Sequence, residues 1–310
     1  MRRLIVCFVA GWTVCLGATE PAKRPLKVLM IGNSFSQSVM DVTPDIANSM
    51  GQQLDIVSMF VGGCTLERHW QNVLAPTSAP YRISWSHNGV RGFKYPAVER
   101  ALRDSMLPSW NPPHDLIPVK GSNVEDMLKA DKWDVVTLQQ ASHFSALSAS
   151  YHPWGENLLK RIRELAPQAR ILVQQTWAYP SWEKRLAENG GSSEEMYRRV
   201  ASAYSAFAER HGLEVIPVGA AVRVLGDSDL LFTKPDFHLN LQGKYLQGLV
   251  WVATLFRVDV SDCRYLPKWL EPQMAGRLKV CAMKAVRETT SRTFCPRHVG
   301  GIRVRCPEVF

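Results

Sequence analysis

Ser34, Asp236 and His238 are residues of the types that together perform nucleophilic chemistry. A serine hydroxyl is a weak nucleophile until a base takes its proton, and the base needs an acid to orient it. Ser34 stands in Gly32-Asn33-Ser34-Phe35-Ser36, directly after a short apolar run at 27–32, KVLMIG. A serine between a strand and a helix N-terminus sits in an electropositive setting that suits developing negative charge. The same position equally suits a plain helix cap. Asp236-Phe237-His238 lies just before a helical pattern at 241–256. In an extended segment, residues two apart point the same way, so Asp236 and His238 can converge on Ser34. Taken alone, His238 also reads as a helix-entry histidine packed against the domain.

Two further segments offer donors for a developing oxyanion. Val61-Gly62-Gly63-Cys64-Thr65 follows an apolar run at 54–60, and backbone N–H groups freed by glycine can point at an oxyanion. A plain strand-to-helix turn is the other reading. Gln139 and Gln140 end the run 133–139, WDVVTLQ. A side-chain amide there can donate to the oxyanion or serve the structure, and both readings stay open.

The elements that must position these residues follow from periodicity. Apolar runs at 27–32, 54–60, 133–139, 169–175 and 213–218 have the length of buried parallel strands. Helical patterns fall at 39–50, closed by Gly51, and at 154–165, 194–211 and 241–256, the last with Asn240 as its cap. Strands alternating with helices predict a doubly wound α/β sheet. Residues 76–120, rich in Pro, Trp and Gly, read as an insertion over one end of that sheet. Residues 261–310 read as a cysteine-bearing cap with a helix near 272–288.

The chain begins with Arg2, Arg3 and an apolar run at 4–16, followed by Gly17 and Ala18, which reads as an export signal over 1–19. A secreted or periplasmic location is therefore expected, with no membrane-crossing segment after the signal is removed. Of seven cysteines, Cys7 and Cys15 leave with the signal, and Cys64 reads as a small buried residue. Cys263, Cys281, Cys295 and Cys306 crowd the C-terminal region and are expected to form disulfides. The formal charge of +9, near +7 without Arg2 and Arg3, could attract anionic polymers, but ordinary solvation of surface charges is the favoured reading. No basic run is interleaved with aromatics, so nucleic acid is not an expected partner. No two histidines have metal-ligand spacing on one helix, although His143 can line the cleft. Trp70, Trp85, Trp110, Trp154, Trp177 and Trp182 suit either sugar stacking or packing.

Together these blocks resemble the SGNH hydrolase superfamily, the GDSL-like esterases. Within it they resemble an uncharacterised bacterial branch whose nucleophile block reads IGNSFS. The resemblance runs from 27 to about 256, making 20–260 the hydrolase domain. It implies a flavodoxin-like three-layer sandwich with a parallel sheet, no metal or cofactor, and hydrolysis of esters, often acetyl groups on carbohydrate. It implies Ser34 as nucleophile and His238, in DFHLNLQGKYLQGLVW, as base. It also implies Ser34 and Gly63 as oxyanion N–H donors. In WDVVTLQQAS it favours Gln139 over Gln140 as the third donor, with Ser142 able to orient the loop. The superfamily places its acid three residues before the histidine, where this chain has Pro235. The acid is then Asp236, a carbonyl, or another carboxylate such as Asp227 or Asp229. These departures give a rival reading, a non-catalytic glycan-binding protein that keeps the fold. An α/β-hydrolase is excluded because its G-x-S-x-G elbow would need glycine where Ser36 stands.

Overall fold

The computed structural model describes residues 24–75, 81–91, 117–119 and 123–294. The export segment, Trp110, Cys295 and Cys306 lie outside them. In chain order the first elements are β1 (Leu26–Gly32), α1 (Ser34–Gln37), α2 (Thr43–Ser49), β2 (Leu54–Phe60) and α3 (Leu66–Leu74). There follow β3 (Tyr81–His87), β4 (Val90–Arg91), β5 (Ile117–Val119), α4 (Val124–Ala130) and β6 (Val135–Leu138). The remainder are α5 (Trp154–Leu165), β7 (Arg170–Gln174), α6 (Ser193–His211), β8 (Glu214–Ile216), α7 (Val218–Val224), α8 (Leu241–Phe256) and α9 (Pro272–Phe294).

The strands form one sheet in the order β4-β3-β2-β1-β6-β7-β8, with β5 also paired to β3. From β2 to β8 the pairing is parallel. Val28 to Ile31 of β1 are fully buried, as an apolar run covered on both faces must be. Helices α2, α7, α8 and α9 pack together, α3, α4 and α5 form the other packed group, and α6 meets that group where Phe207 lies against Gly155. The result is the expected three-layer α/β sandwich.

The chain leaves β1 for β2 on one side and later returns to β6 on the other. Strand order therefore reverses at β1, and a crevice opens beyond its carboxyl end. Ser34 is the second residue past that end.

Three expectations are corrected. The described part of the 76–120 segment does not lie over the sheet end. Residues Tyr81–His87 pair antiparallel with β2, from Phe60↔Arg82 to Asp55↔His87. The reason is a two-residue alternation that buries Tyr81, Ile83 and Trp85. The expected helix at 39–50 is broken: a 3-10 turn at Ser38–Asp41 separates α1 from α2. Pro44 stands in the first turn of α2, where its missing N–H costs no hydrogen bond. The C-terminal segment is not a disulfide-stapled cap in its described part. Cys263 and Cys281 are free, buried thiols. Ala275, Leu278, Ala282, Ala285 and Val286 form a stripe that joins α9 to α7 and α8. Burial of apolar area, which needs no covalent link, holds this helix down.

Close approach at the start of α7 requires glycine. A methyl on Gly219 would lie 2.2 Å from the Thr176 carbonyl oxygen. That obstacle is backbone and cannot rotate away. Gly219→Ala is expected to cost about 1–3 kcal/mol of stability, as overpacking does, read from the denaturant midpoint.

Candidate active site

Asn33 organises the turn at the end of β1. Its backbone is extended, and its side-chain oxygen accepts the Phe35 N–H at 3.1 Å, which starts α1. Its side-chain nitrogen donates to the Cys64 carbonyl at 3.0 Å, tying this turn to the one that follows β2. Gly63 in that second turn has φ +58, a left-handed conformation that glycine adopts without strain. The N–H groups of Ser34 and Gly63 meet no acceptor among the described residues. Both are available to a ligand. The His143 ring borders the second turn, with Cε1 4.0 Å from where a Gly63 side chain would begin. Burial and the charge of Arg185 lower the His143 pKa, so its neutral form is favoured.

Asp236 and His238 sit on a narrow loop. Phe232 and Leu239 bridge at its neck, and Thr233 N–H donates to the His238 carbonyl at 3.2 Å. Asn240 closes the neck by donating to Leu230 O at 2.8 Å, and it accepts the Gly243 N–H to cap α8. Two indoles grip the tip. Trp177 Nε1 donates to Phe237 O at 3.0 Å, and Trp182 Nε1 donates to Asp236 O at 3.2 Å. Trp177 is buried and stacks on Phe35 with centroids 3.9 Å apart, so it packs and has no face for a sugar. Trp85 is buried as well; Trp182 is half-buried beside the loop.

The loop brings its two polar side chains to Ser34. His238 Nε2 lies 2.9 Å from Ser34 Oγ, and His238 Nδ1 lies 2.8 Å and 3.0 Å from the two Asp236 carboxylate oxygens. This orders Ser34, His238 and Asp236 as nucleophile, base and acid would be ordered. The two-residue spacing works because the segment is turned back by the Asp236 N–H to Thr233 O bond at 2.6 Å. Partial burial would raise the Asp236 carboxyl. Hydrogen bonds from the His238 ring and the Phe237 N–H outweigh it and hold that carboxyl below its ordinary value. Asp229, an alternative acid, is engaged elsewhere by the Ser181 N–H at 3.0 Å and by the Ser181 hydroxyl. Asp227 makes no bond to His238.

Gln139 is placed differently from the expectation. It is 2% exposed, and its side-chain nitrogen donates to Asn33 Oδ1. Its oxygen accepts from Gln174 Nε2 at 2.5 Å. Gln174 Nε2 also donates to Phe35 O at 3.0 Å, while its oxygen accepts from Trp251 Nε1 at 2.6 Å and Gln247 Nε2 at 3.1 Å. The amide at the end of β6 is thus spent on holding the turn that carries Ser34. Gln140 is equally structural, joining Leu66 N–H at 3.1 Å to Ser150 O at 2.9 Å. Ser142 Oγ accepts from the Tyr179 hydroxyl at 3.0 Å. Sequence reasoning missed Gln174 and Gln247. Their signal was a polar amide within an otherwise apolar strand or helix, which must find a partner when buried.

The sequence model of DUF4886, a domain of unknown function, matches residues 117–285. The chain belongs to the DUF4886 family. That match includes Gln139, Gln174, Asp236 and His238 and begins after Ser34. No curated protein matches the chain. A DUF4886 protein from Bacteroides uniformis is similar in structure, with TM-score 0.72 and 25% identity over 85% of this chain and 95% of that one. A proposed SGNH hydrolase from Slackia heliotrinireducens matches with TM-score 0.49 and 22% identity, covering 75% and 100% of the two chains. A lipase/acylhydrolase from Enterococcus faecalis matches with TM-score 0.42 and 14% identity, over 73% and 93%.

In this DUF4886 chain the role of Gln139 separates cleanly by experiment. Gln139→Met keeps the volume and removes both hydrogen bonds. It is expected to lower stability by about 1–3 kcal/mol along with any rate loss. An amide that served only an oxyanion would lower the rate and leave the unfolding midpoint in place.

Proposed function

We propose that this DUF4886 protein is an exported serine esterase that hydrolyses ester bonds, with O-acetyl groups on carbohydrate as its substrates. The observation that carries the reading is the continuous bond path from Ser34 Oγ through the His238 ring to Asp236. A serine that merely capped α1 would have no need of it; Asn33 does the capping.

The chemistry follows from the geometry. Ser34 Oγ attacks the ester carbonyl carbon while His238 Nε2 takes the hydroxyl proton. Asp236 accepts the Nδ1–H, which assigns the tautomer and stabilises the imidazolium that forms. The carbonyl oxygen becomes an oxyanion and accepts from the Ser34 and Gly63 N–H groups. His238 then gives its proton to the leaving alcohol, and the Ser34 acyl ester remains. Water attacks that ester with His238 again as base, releasing the acid and restoring the hydroxyl. Gln139 acts one step back, through Asn33.

The acid's spacing and the altered asparagine block motivated the non-catalytic rival, and the Asp236–His238 contact speaks against the first of these. Export rests on Arg2, Arg3 and the apolar run behind them. No helix of the described residues is long and apolar enough to cross a membrane.

Hydrolysis of p-nitrophenyl acetate and of acetylated polysaccharide tests the reading. Ser34→Ala and His238→Ala are expected to lower kcat by roughly 10⁴-fold or more, and Asp236→Asn by roughly 10³–10⁴-fold. Equal release by wild type and Ser34→Ala from every ester would overturn it.

A further inference from the structure

Two cations, Arg185 beside the loop that carries Asp236 and His238 and Lys234 within that loop, each lie on an aromatic ring. The guanidinium carbon of Arg185 is 4.1 Å from the centroid of Phe237 and 4.8 Å from that of Tyr179. Phe237 is the residue between the acid and the base, and its ring centroid is 4.4 Å from that of His238. Lys234 Nζ is 4.5 Å from the centroid of Trp182, the indole that holds Asp236 O. Cation–π contacts of this kind fix where a charge stands without neutralising it.

Arg185 is oriented further by Glu183, which takes Nε at 2.9 Å and Nη2 at 3.0 Å. One edge of the guanidinium is thereby used, and Nη1 has no acceptor among the described residues. Lys234 is exposed and forms no ion pair among the described residues. Three nearby carboxylates are committed, Glu183 to Arg185, Asp236 to His238 and Asp229 to Ser181, while Glu188, whose charge acts on Tyr179, forms no ion pair among the described residues. The charge of Arg185 is felt both at Asp236 and at His143, the ring beside Gly63. Its place beside the site is set by Phe237, whose ring lies between the guanidinium and the His238 ring. An arginine held on one edge and open on the other presents directed donors to a carboxylate.

We infer that Arg185 and Lys234 form an anion subsite that takes a carboxylate on the sugar bearing the ester, so the substrate class is an acylated uronic acid polymer. The inference rests on the esterase reading only for which bond is cleaved; the subsite itself is a binding claim. The formal charge of +9, which becomes +7 once Arg2 and Arg3 leave with the export segment, favours the approach of a polyanion to the molecule as a whole.

Binding is measured first, on the Ser34→Ala full chain, with unesterified polygalacturonate beside neutral galactomannan. Polygalacturonate is expected to bind at least about tenfold tighter, and Arg185→Gln or Lys234→Gln to remove about tenfold, the loss of one charge-assisted contact. Equal affinity for both polymers, or affinity untouched by both variants, overturns the proposal whether or not the protein is an esterase. In turnover, Arg185→Gln is expected to lower the ratio of kcat/KM on acetylated polygalacturonate to that on acetylated galactomannan by about tenfold. Equal losses on both would mean that Arg185 only steadies Phe237, and would overturn it. A third arm compares p-nitrophenyl hemisuccinate with p-nitrophenyl acetate. A preference for the hemisuccinate that Arg185→Gln abolishes would place the carboxylate in the acyl group and overturn the assignment to the sugar.

Discussion

A buried chain of side-chain amides sets the position of Ser34. Gln174 is its centre, giving its N–H groups to Phe35 O and Gln139 and taking N–H groups from Gln247 and Trp251. Gln139 passes the order on to Asn33, and Asn33 divides its amide between α1 and the turn that holds Gly63. Each of these groups is out of reach of water. Leaving one unpaired would cost about 1–3 kcal/mol, so no amide turns without disturbing the next. The network joins the ends of β1, β6 and β7 to α8. It leaves the Ser34 and Gly63 N–H groups without an acceptor among the described residues and the Ser34 hydroxyl paired with His238.

His238 arrives from the far end of the chain by a separate route, and one indole couples the two. Trp177 stacks on Phe35, the residue after Ser34, and donates to the carbonyl of Phe237, the residue before His238. A shift of α1 is therefore felt by the loop. Asn240 does similar double duty, capping α8 and closing the loop neck. The topological reversal at β1 provides the crevice, and these contacts turn it into a site with one geometry.

The identity of the chemical groups was legible in the sequence; the direction in which they point was less so. Ser34, Asp236, His238 and Gly63 stand out because their types and the strand ends before Ser34 and Gly63 limit what they can do. The parallel strands are legible because burial on both faces leaves a continuous apolar run. Gln139 shows the limit. Its type suits an oxyanion donor and a structural bridge equally, and only the position of Gln174, on a neighbouring strand, decides. The strand Tyr81–His87 was hidden in a segment rich in Pro, Trp and Gly, where composition masked a short alternation. The thiols of Cys263 and Cys281 were read as cross-links from their crowding. Crowding along the chain says nothing about the separation of two Cβ atoms, on which a disulfide depends.

On the proposed reading this architecture activates Ser34 and no other hydroxyl. Covalent labelling of the full chain with a fluorophosphonate, followed by mass spectrometry of the modified peptide, tests it without choosing a substrate. The account predicts a single adduct, on Ser34. A chain that stays unlabelled, or one that is labelled elsewhere while Ser34 remains unmodified, would contradict it.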